Sequence, residues 1–429
     1  MTWGPRFGLA WTPHVWRGLF GQDKTVIRMG YGIFYDCLST NILDNTGATV
    51  PNVADGTITA PGSGRGLPNA NTLISSVAPV PSPTGTVNTI SNQLLNPTTH
   101  QWNFDIQREL PLNFVLTAAY VGTRGEHLYI NQQYNPVILT TANTAGVRLN
   151  PALGSITVRT NGGDSIYHGF NFKLDRRFSR GILARVAYTY SKLIDNGSEV
   201  FTTTGGSSVA QNPFSQAQDR GPSAYDRRHR FVATYIWELP YFHNTGNAGM
   251  SVLNAVIRDW QVSETFTVRS GIPGIIHANV DMNGDGSAAN DRPFLAKSSA
   301  PFNSNGQFDR NGNRFIFGTT TPTTLSAVHF VIYPSNTFPL ATGVVGTMGR
   351  DIYYSPNTWG LDFAVQRTNK IPVRHLESSA LMFRTEFFNV FNHANMGNPS
   401  LNVQSAIFGD LGQNISGGHT IKFWLKYMF

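Results

Sequence analysis

The sequence predicts an all-β protein, an antiparallel transmembrane β-barrel whose about 11 strands make up half of a 22-stranded barrel with long extracellular loops. Three observations lead to this fold class. The last strand alternates strictly between apolar and polar residues, the composition combines few charges with many aromatic rings, and paired strands are separated by long polar segments. A period of two places alternate side chains on opposite faces of a sheet, so one face suits lipid and the other suits water.

The final strand has one wholly apolar face, which carries Ile421, Phe423, Leu425, Tyr427 and Phe429. The opposite face carries Thr420, Lys422, Trp424, Lys426 and Met428. We predict that the apolar face, with its terminal aromatic residue, is the signal that the barrel assembly machinery recognises. A soluble edge strand is the alternative interpretation of this segment alone.

The composition excludes a helical membrane protein. Charged residues make up 13% and aromatic residues 12% of the chain, whereas soluble domains contain about 25% charged residues. Mean hydropathy is −0.19, and no apolar run approaches the roughly 18 residues of a membrane-spanning helix. The net charge of +7 is scattered without a basic run, so we expect no nucleic acid partner and assign the excess Arg to barrel rims that face outer-membrane lipid.

Five pairs of alternating segments and the final strand give the predicted strand count, and we expect a short turn to join the two strands of each pair. The pairs are 7–11 with 26–35, 102–107 with 114–120, 170–175 with 184–190, 231–239 with 260–268, and 361–365 with 381–387. Polar segments of roughly 30 to 90 residues separate the pairs, against about 4 to 6 residues for connections in compact domains. Short periplasmic turns and long extracellular loops, with Tyr and Trp near the strand ends, are typical of outer-membrane barrels.

The direction of each strand follows from the turns. If the last strand ends in the periplasm, the first one starts outside the cell, whereas a bacterial single-chain barrel has an even strand number. We therefore expect further strands before Met1. The opening residues also lack the basic and apolar regions of an export signal, which an outer-membrane protein needs.

Eight short segments follow one another along the chain: residues 5–8 (PRFG), 25–36 (TVIRMGYGIFYD), 101–111 (QWNFDIQRELP), 120–125 (YVGTRG), 187–192 (AYTYSK), 226–231 (DRRHRF), 270–273 (SGIP) and 384–393 (RTEFFNVFNH). In this order, they resemble the Oar-like TonB-dependent receptors. The resemblance covers nearly the whole chain. It implies that residues 1–429 are the C-terminal part of a receptor barrel, without the plug and the carboxypeptidase-regulatory-like domain that precede the barrel in such proteins.

The resemblance also implies a function. The intact receptor would bind a bulky organic nutrient at its outer face, and the TonB complex would pull on the plug by using the proton gradient of the inner membrane. The extracellular loops would select the ligand. The resemblance does not identify that ligand.

A short segment after the eighth strand of the sequence pattern predicts a calcium loop. Asp281, Asn283 and Asp285 alternate around a Gly turn, as in loops that wrap a hard cation with oxygen ligands. The second half departs from the pattern, since Arg292 occupies the twelfth position and the acid, Asp291, lies one place earlier. The alternative is an external turn whose side chains bind their own backbone.

Two groups of charges are further candidates. The cluster Asp226, Arg227, Arg228, His229 and Arg230 fits either a basic ligand contact or an ion-pair network at the barrel rim. Arg384 and Glu386 share the polar face of one strand. We expect them to pair with lumen or plug groups, and a lumen salt bridge is the structural alternative.

No enzyme motif accompanies these groups. The sequence contains no G-x-S-x-G, H-E-x-x-H or phosphate-loop motif, and its histidines lack metal-ligand spacing. We therefore predict a transport protein and no cofactor other than the calcium considered above. Two alternatives stay open at this point: an outer-membrane adhesion or binding protein, and a soluble secreted all-β binding protein.

Overall fold

The computed structural model describes residues 3–14, 20–47, 49, 85–138, 146–201, 209–240, 248–308, 313–333, 345–371, 379–412 and 414–429. Most of the long polar segment that follows the second strand lies outside this description. Helices α1 (Thr40–Gly47) and α2 (Ala248–Ile257) are short. Across the described residues, no helix has the length and hydropathy needed to cross a membrane.

Strands account for most of the regular structure. In chain order they are β1 (Arg6–Trp11), β2 (Thr25–Tyr35), β3 (Val87–Ile90), β4 (Thr98–Leu110), β5 (Phe114–Gln133), β6 (Val137–Ile138), β7 (Val147–Arg148), β8 (Ile156–Ser179), β9 (Ile182–Asp195), β10 (Gly221–Pro222), β11 (His229–Glu238), β12 (Trp260–Arg269), β13 (Pro273–Gly274), β14 (Phe294–Leu295), β15 (Asn305–Phe308), β16 (Arg314–Ile316), β17 (Phe330–Ile332), β18 (Tyr353–Tyr354), β19 (Thr358–Lys370), β20 (Ala380–Phe388) and β21 (Thr420–Met428).

The main sheet follows one continuous path. Its order is β1-β2-β4-β5-β8-β9-β11-β12-β19-β20-β21, and every neighbouring pair on this path is antiparallel. The eleven strands and all five predicted pairs are confirmed. Among the described residues, β1 pairs only with β2 and β21 only with β20, so the sheet is open at both edges.

One face of this sheet is apolar from edge to edge. The register places Phe363 beside Phe387, and Phe387 beside Ile421, all on the same face. Exposed apolar side chains on this face include Phe7, Leu9, Phe104, Phe170, Phe172, Phe383, Phe423 and Leu425. A carboxylate interrupts the face, because Glu264 lies in register between Tyr235 and Phe363. Apart from this carboxylate, such a broad apolar surface suits hydrocarbon and would be unfavourable in water.

Two strands are much longer than the apolar alternation predicts. The sequence predicts strands at 114–120 and 170–175, whereas β5 has 20 residues and β8 has 24. Their added parts are rich in Gly, Arg and Thr and show register shifts near Gly125 and Leu128. Alternation marks only the part of a strand that faces lipid, so a strand that continues into water leaves no such pattern.

The connections at one end of the sheet are mostly tight. A 3₁₀ turn at Pro111–Asn113 joins β4 to β5, with positive φ at Leu112 and Asn113. Positive φ at Arg180 and Gly181 closes the turn from β8 to β9. The predicted short turn between β11 and β12 is wrong, because α2 occupies this connection. The apolar residues of α2 lack the period of two that is typical of strands, so the search for strands did not predict this helix.

The long connections at the opposite end pack together into a cap, which we define as residues 209–228, 270–357 and 389–418 where described. Small sheets β13-β18 and β14-β17-β15-β16 lie in it. Its hydrophobic core consists of Ile276, Ala278, Met282, Phe330, Ile332, Met348, Val403 and Phe408. The cap therefore has a core of its own, separate from the apolar face of the main sheet.

Candidate functional site

The polar face of the main sheet carries a row of paired charges. Asp175 accepts from Lys173 Nζ at 2.7 Å and from Arg185 Nε at 2.6 Å. Towards the β1 edge, Arg28 Nη1 donates to Gln107 Oε1 at 2.7 Å. In a barrel whose other face meets lipid, this face lines the lumen. The lumen wall is thus charged, and its charges are balanced locally.

Arg384 and Glu386 lie on this polar face and pair with each other. Arg384 Nε is 2.8 Å from Glu386 Oε1, and its Nη1 donates to Gln366 Oε1 at 3.0 Å. Trp424 Nε1 donates to the second Glu386 oxygen at 2.8 Å. The group therefore joins β19, β20 and β21 at the open edge of the sheet.

The cluster at residues 226–230 is divided among several partners. Asp226 is buried, and its oxygens accept from Leu193 N at 2.8 Å and from the Tyr354 hydroxyl at 3.0 Å. Arg228 Nη2 lies 3.3 Å from the same carboxylate, and Arg227 Nη1 donates to the Ser270 carbonyl at 2.8 Å. The arrangement fits a network that fastens the cap to the rim better than a single ligand-facing surface.

His229 and Arg230 begin β11 and are exposed. His229 faces the apolar side of the sheet, where its Nδ1 is 2.8 Å from the Tyr188 hydroxyl. The same Tyr–His contact recurs at Tyr31–His100, at 2.8 Å, and Tyr120–His168, at 2.7 Å. Each pair lies near the cap end of the apolar face, where amphipathic rings meet the membrane interface.

The acidic segment at residues 281–291 is folded tightly inside the cap. Asp281 Oδ1 accepts from Asp285 N at 3.0 Å, and its Oδ2 accepts from Gly286 N at 2.9 Å. Asn283 Oδ1 accepts from Asp285 N at 2.9 Å. Positive φ at Gly284 and Gly286 permits the turn. The four predicted ligand residues, Asp281 to Asp291, therefore lie in one compact loop.

Burial perturbs the carboxylates of this loop. Burial and the charge of Asp281 raise the pKa of Asp285 to about 6. Burial and the charge of Asp285 raise the pKa of Asp291 to about 8. Burial also raises the pKa of Asp281, against hydrogen bonds from backbone N–H groups. Within the described residues, these three carboxylates form no ion pair with Lys, Arg or His.

Three buried ion pairs that the sequence did not indicate stabilise the cap and its contact with β9. Arg292 Nη1 lies 2.7 Å from Asp219 Oδ1, with both side chains almost fully buried. Arg350 pairs with Asp195 and, at 2.9 Å, with Asp351. The partners are distant in sequence except for Asp351, so no local spacing could have revealed them.

The predicted assembly signal lies at the edge of the sheet. Phe423, Leu425 and Phe429 are 69%, 72% and 85% exposed, and Ile421 and Tyr427 are also exposed. Their strand pairs with β20 along its whole length. The apolar face of β21 is thus continuous with that of the sheet and accessible to a partner.

A family model described as "Outer membrane beta barrel domain" matches residues 1–422. No curated protein matches the chain. Among solved structures, the chain is similar to the outer membrane transporter YddB from Escherichia coli, with 12% identity, a TM-score of 0.49, and coverage of 99% of this chain and 40% of that one. The ferripyoverdine receptor of the Pseudomonas aeruginosa outer membrane has 7% identity, a TM-score of 0.41, and coverage of 99% and 33%.

A third similar structure is BauA, the ferric preacinetobactin receptor from Acinetobacter baumannii. Its identity is 12% and its TM-score 0.39, with coverage of 99% of this chain and 36% of that one. The chain therefore spans 40% or less of the length of these three proteins.

Proposed function

Because the chain belongs to the outer membrane beta barrel family, and so to the bacterial outer membrane, we propose that it forms part of the wall and the extracellular cap of a TonB-dependent receptor. The receptor takes up a bulky organic nutrient. The sequence resemblance to Oar-like receptors, given by ordered motifs such as residues 25–36 and 384–393, supports this subtype.

The observation that carries the proposal is the continuous path of eleven antiparallel strands in the main sheet, which is open at both edges. Its described edge strands, β1 and β21, present unpaired backbone groups on one side. Unpaired edges are not tolerated in lipid, where every backbone donor and acceptor needs a partner. Further strands must therefore pair with both edges. Eleven strands are half of a 22-stranded barrel, the size of plugged outer-membrane transporters.

The two faces of the sheet agree with such a barrel. The apolar face meets lipid, and the polar face, with pairs such as Lys173–Asp175 and Arg384–Glu386, lines a lumen that holds a plug. Short connections lie in the periplasm and the cap lies outside the cell. The TonB complex acts on the plug, which we place in the preceding part of the parent protein, and the barrel assembly machinery recognises β21.

The cap is the part of the chain that meets the ligand first. It has its own hydrophobic core and buried ion pairs, so its surface is held in a defined shape. A defined external surface also favours a second candidate, an adhesion or binding protein that uses the barrel as a platform. No step of either function requires catalysis by this chain.

Reading the DNA upstream of the Met1 codon is the first test. We expect an in-frame continuation that encodes about eleven further alternating strands, a plug and an export signal. A stop codon in frame immediately upstream, behind a promoter, would contradict the larger barrel.

Uptake by the host separates transport from adhesion. Mass spectrometry of the growth medium would compare wild-type cells, cells without this gene and cells without TonB. We expect one or more organic compounds to be depleted only when both genes are intact. Compounds that bind the cell surface through this protein but are never internalised, with or without TonB, would support adhesion and overturn transport.

A further inference from the structure

The segment at residues 281–291, which we call the acidic loop, concentrates oxygen atoms in a buried place. Asn283, Asp285, Asn290 and Asp291 are at most 4% exposed. Asp285 Oδ2 lies 3.3 Å from Asn283 Nδ2 and 3.5 Å from Asn290 Nδ2. Burial of the Asp285 and Asp291 carboxylates without an ion pair among the described residues is unfavourable unless a proton or a cation neutralises their charge.

Two oxygens of the loop lack a partner in the part of the chain that the structure describes. Asp291 Oδ1 and Asn290 Oδ1 are buried, and no described residue donates a hydrogen bond to either of them. The other Asp291 oxygen accepts from the backbone N–H groups of Met282 and Asn283, which holds its carboxylate against the start of the loop. Buried acceptors in native proteins nearly always have a partner, so these two oxygens call for a ligand that a protein group does not supply.

We propose that the acidic loop binds one Ca²⁺ ion, with Asp281, Asn283, Asp285 and Asp291 as ligands and Asn290 close to them. Carboxylate and amide oxygens are the ligands of hard cations, and a glycine at the sixth position of the loop, Gly286, permits the sharp turn that calcium loops need. The acid one place earlier than the usual twelfth position then supplies the closing ligand.

Binding must draw the side chains together. In the part of the chain that the structure describes, no three His, Cys, Asp or Glu side chains are grouped so that they could hold a metal ion. Rotation of the Asp285 and Asp291 carboxylates towards Asp281 is therefore part of the binding step. The number of oxygens and the need for such adjustment favour Ca²⁺ over Mg²⁺, which demands near-ideal octahedral geometry.

The acidic loop lies where three external connections meet. The carbonyl of Asp285 accepts from Val137 N at 2.8 Å, in the β5–β8 connection. Asn283 Nδ2 donates to the Gln211 carbonyl at 2.6 Å and Asn290 Nδ2 to the Ala210 carbonyl at 2.8 Å, both in the β9–β11 connection. Calcium would thus stabilise the loop and the two connections that contact it.

Hydrogen exchange on the full chain in detergent, measured with EGTA, with CaCl₂ and with MgCl₂, tests the proposal without any substitution. We expect CaCl₂ at about 1 mM to slow exchange in residues 281–292, 134–138 and 209–219, and MgCl₂ at the same concentration to have a much smaller effect. No difference between EGTA and CaCl₂ at about 5 mM would overturn the proposal.

Calorimetric titration with CaCl₂ identifies the ligands. We expect one ion per chain, and an affinity at least about tenfold weaker after Asp285→Asn or Asp291→Asn. Asp410→Asn, which neutralises an exposed carboxylate elsewhere in the cap, is the matched control and should bind as the unchanged chain does. Equal affinity in all three variants would exclude this loop as the site, and neither result depends on the proposed transport function.

Discussion

The buried pair of Arg292 and Asp219 gives the sharpest test of how the cap is held together. Their side chains are 2% and 4% exposed. Besides the ion pair at 2.7 Å, Arg292 Nε donates to the Met348 carbonyl at 2.8 Å and Nη2 donates to the Gln218 carbonyl at 3.2 Å. Replacement of Arg292 by Met fills much of the same volume but removes all three contacts.

The expected loss is large because it leaves the Asp219 carboxylate buried without its cation. Removing one partner of a buried pair costs about 3–5 kcal/mol. For local opening of the cap, this corresponds to roughly two to four orders of magnitude in the opening equilibrium. Arg220 offers a matched control, since it pairs with Asp164 but the two side chains are 47% and 34% exposed. Arg220→Met should cost at most about 1 kcal/mol.

Hydrogen exchange of residues 209–219 and 345–351 measures both variants in one assay. Exchange should accelerate strongly in Arg292→Met and little in Arg220→Met, while the strands of the main sheet keep their protection. Adding Asp219→Asn to Arg292→Met removes the isolated charge and should recover part of the loss. Equal acceleration in the two single variants would refute the reasoning, because it would mean that burial does not set the strength of these pairs.

Three further predictions concern the edge, the cap and the lipid face. Phe429→Ala with Tyr427→Ala should lower the outer-membrane yield of the full-length parent, since both rings lie on the exposed apolar face of β21. Lys426→Ala, on the opposite face, should leave the yield unchanged. Equal yields of the two variants by membrane fractionation would count against the assembly signal. Burial raises the pKa of Asp351 to about 6, against the opposing charge of the adjacent arginine. The protonated carboxyl therefore favours the folded cap below its unfolded pKa near 4, and that contribution is lost as the pH rises through 6. Asp351→Asn should flatten the pH dependence of hydrogen exchange in the cap between pH 4 and 6. If the pH dependence is unchanged in this variant, groups other than Asp351 cause it. Glu264→Leu removes a carboxylate from the apolar face and should raise the free energy of unfolding by up to about 2 kcal/mol in lipid, as measured by urea denaturation. A loss of stability in this variant would show that the carboxylate has a partner in the complete barrel.

The main sheet could be predicted because its signal is local. Alternation at residues 26–35 or 381–387 depends only on which side chains face lipid, and that requirement repeats along every strand. The same reasoning missed the ends of β5 and β8, where the sheet leaves the membrane and neither face has to be apolar. It also missed α2, whose short apolar run lies between two strands.

In the cap, only contacts between residues close in sequence could be predicted. The acidic loop was visible in the sequence because all of its side chains lie within eleven residues. The pair of Arg292 and Asp219 was not, because its partners are 73 residues apart and only the folded cap brings them together. Sequence patterns predict clusters whose residues lie close together in the sequence. They do not predict contacts between distant residues, which depend on the way in which long loops pack against each other.

The three Tyr–His pairs of the apolar face also record how the strands are inclined. In the sheet register, Tyr31 is level with Gly122, two residues beyond Tyr120, and Tyr120 is level with Tyr190, two residues beyond Tyr188. The pairs thus step two residues towards the short turns for every two strands. With about 3.3 Å per residue and about 4.8 Å between strands, a line through them makes an angle of about 35° with the perpendicular to the strands. Outer-membrane barrels tilt their strands by about 35–45°, so this line lies parallel to the membrane surface and fixes the depth at which the chain sits in the bilayer.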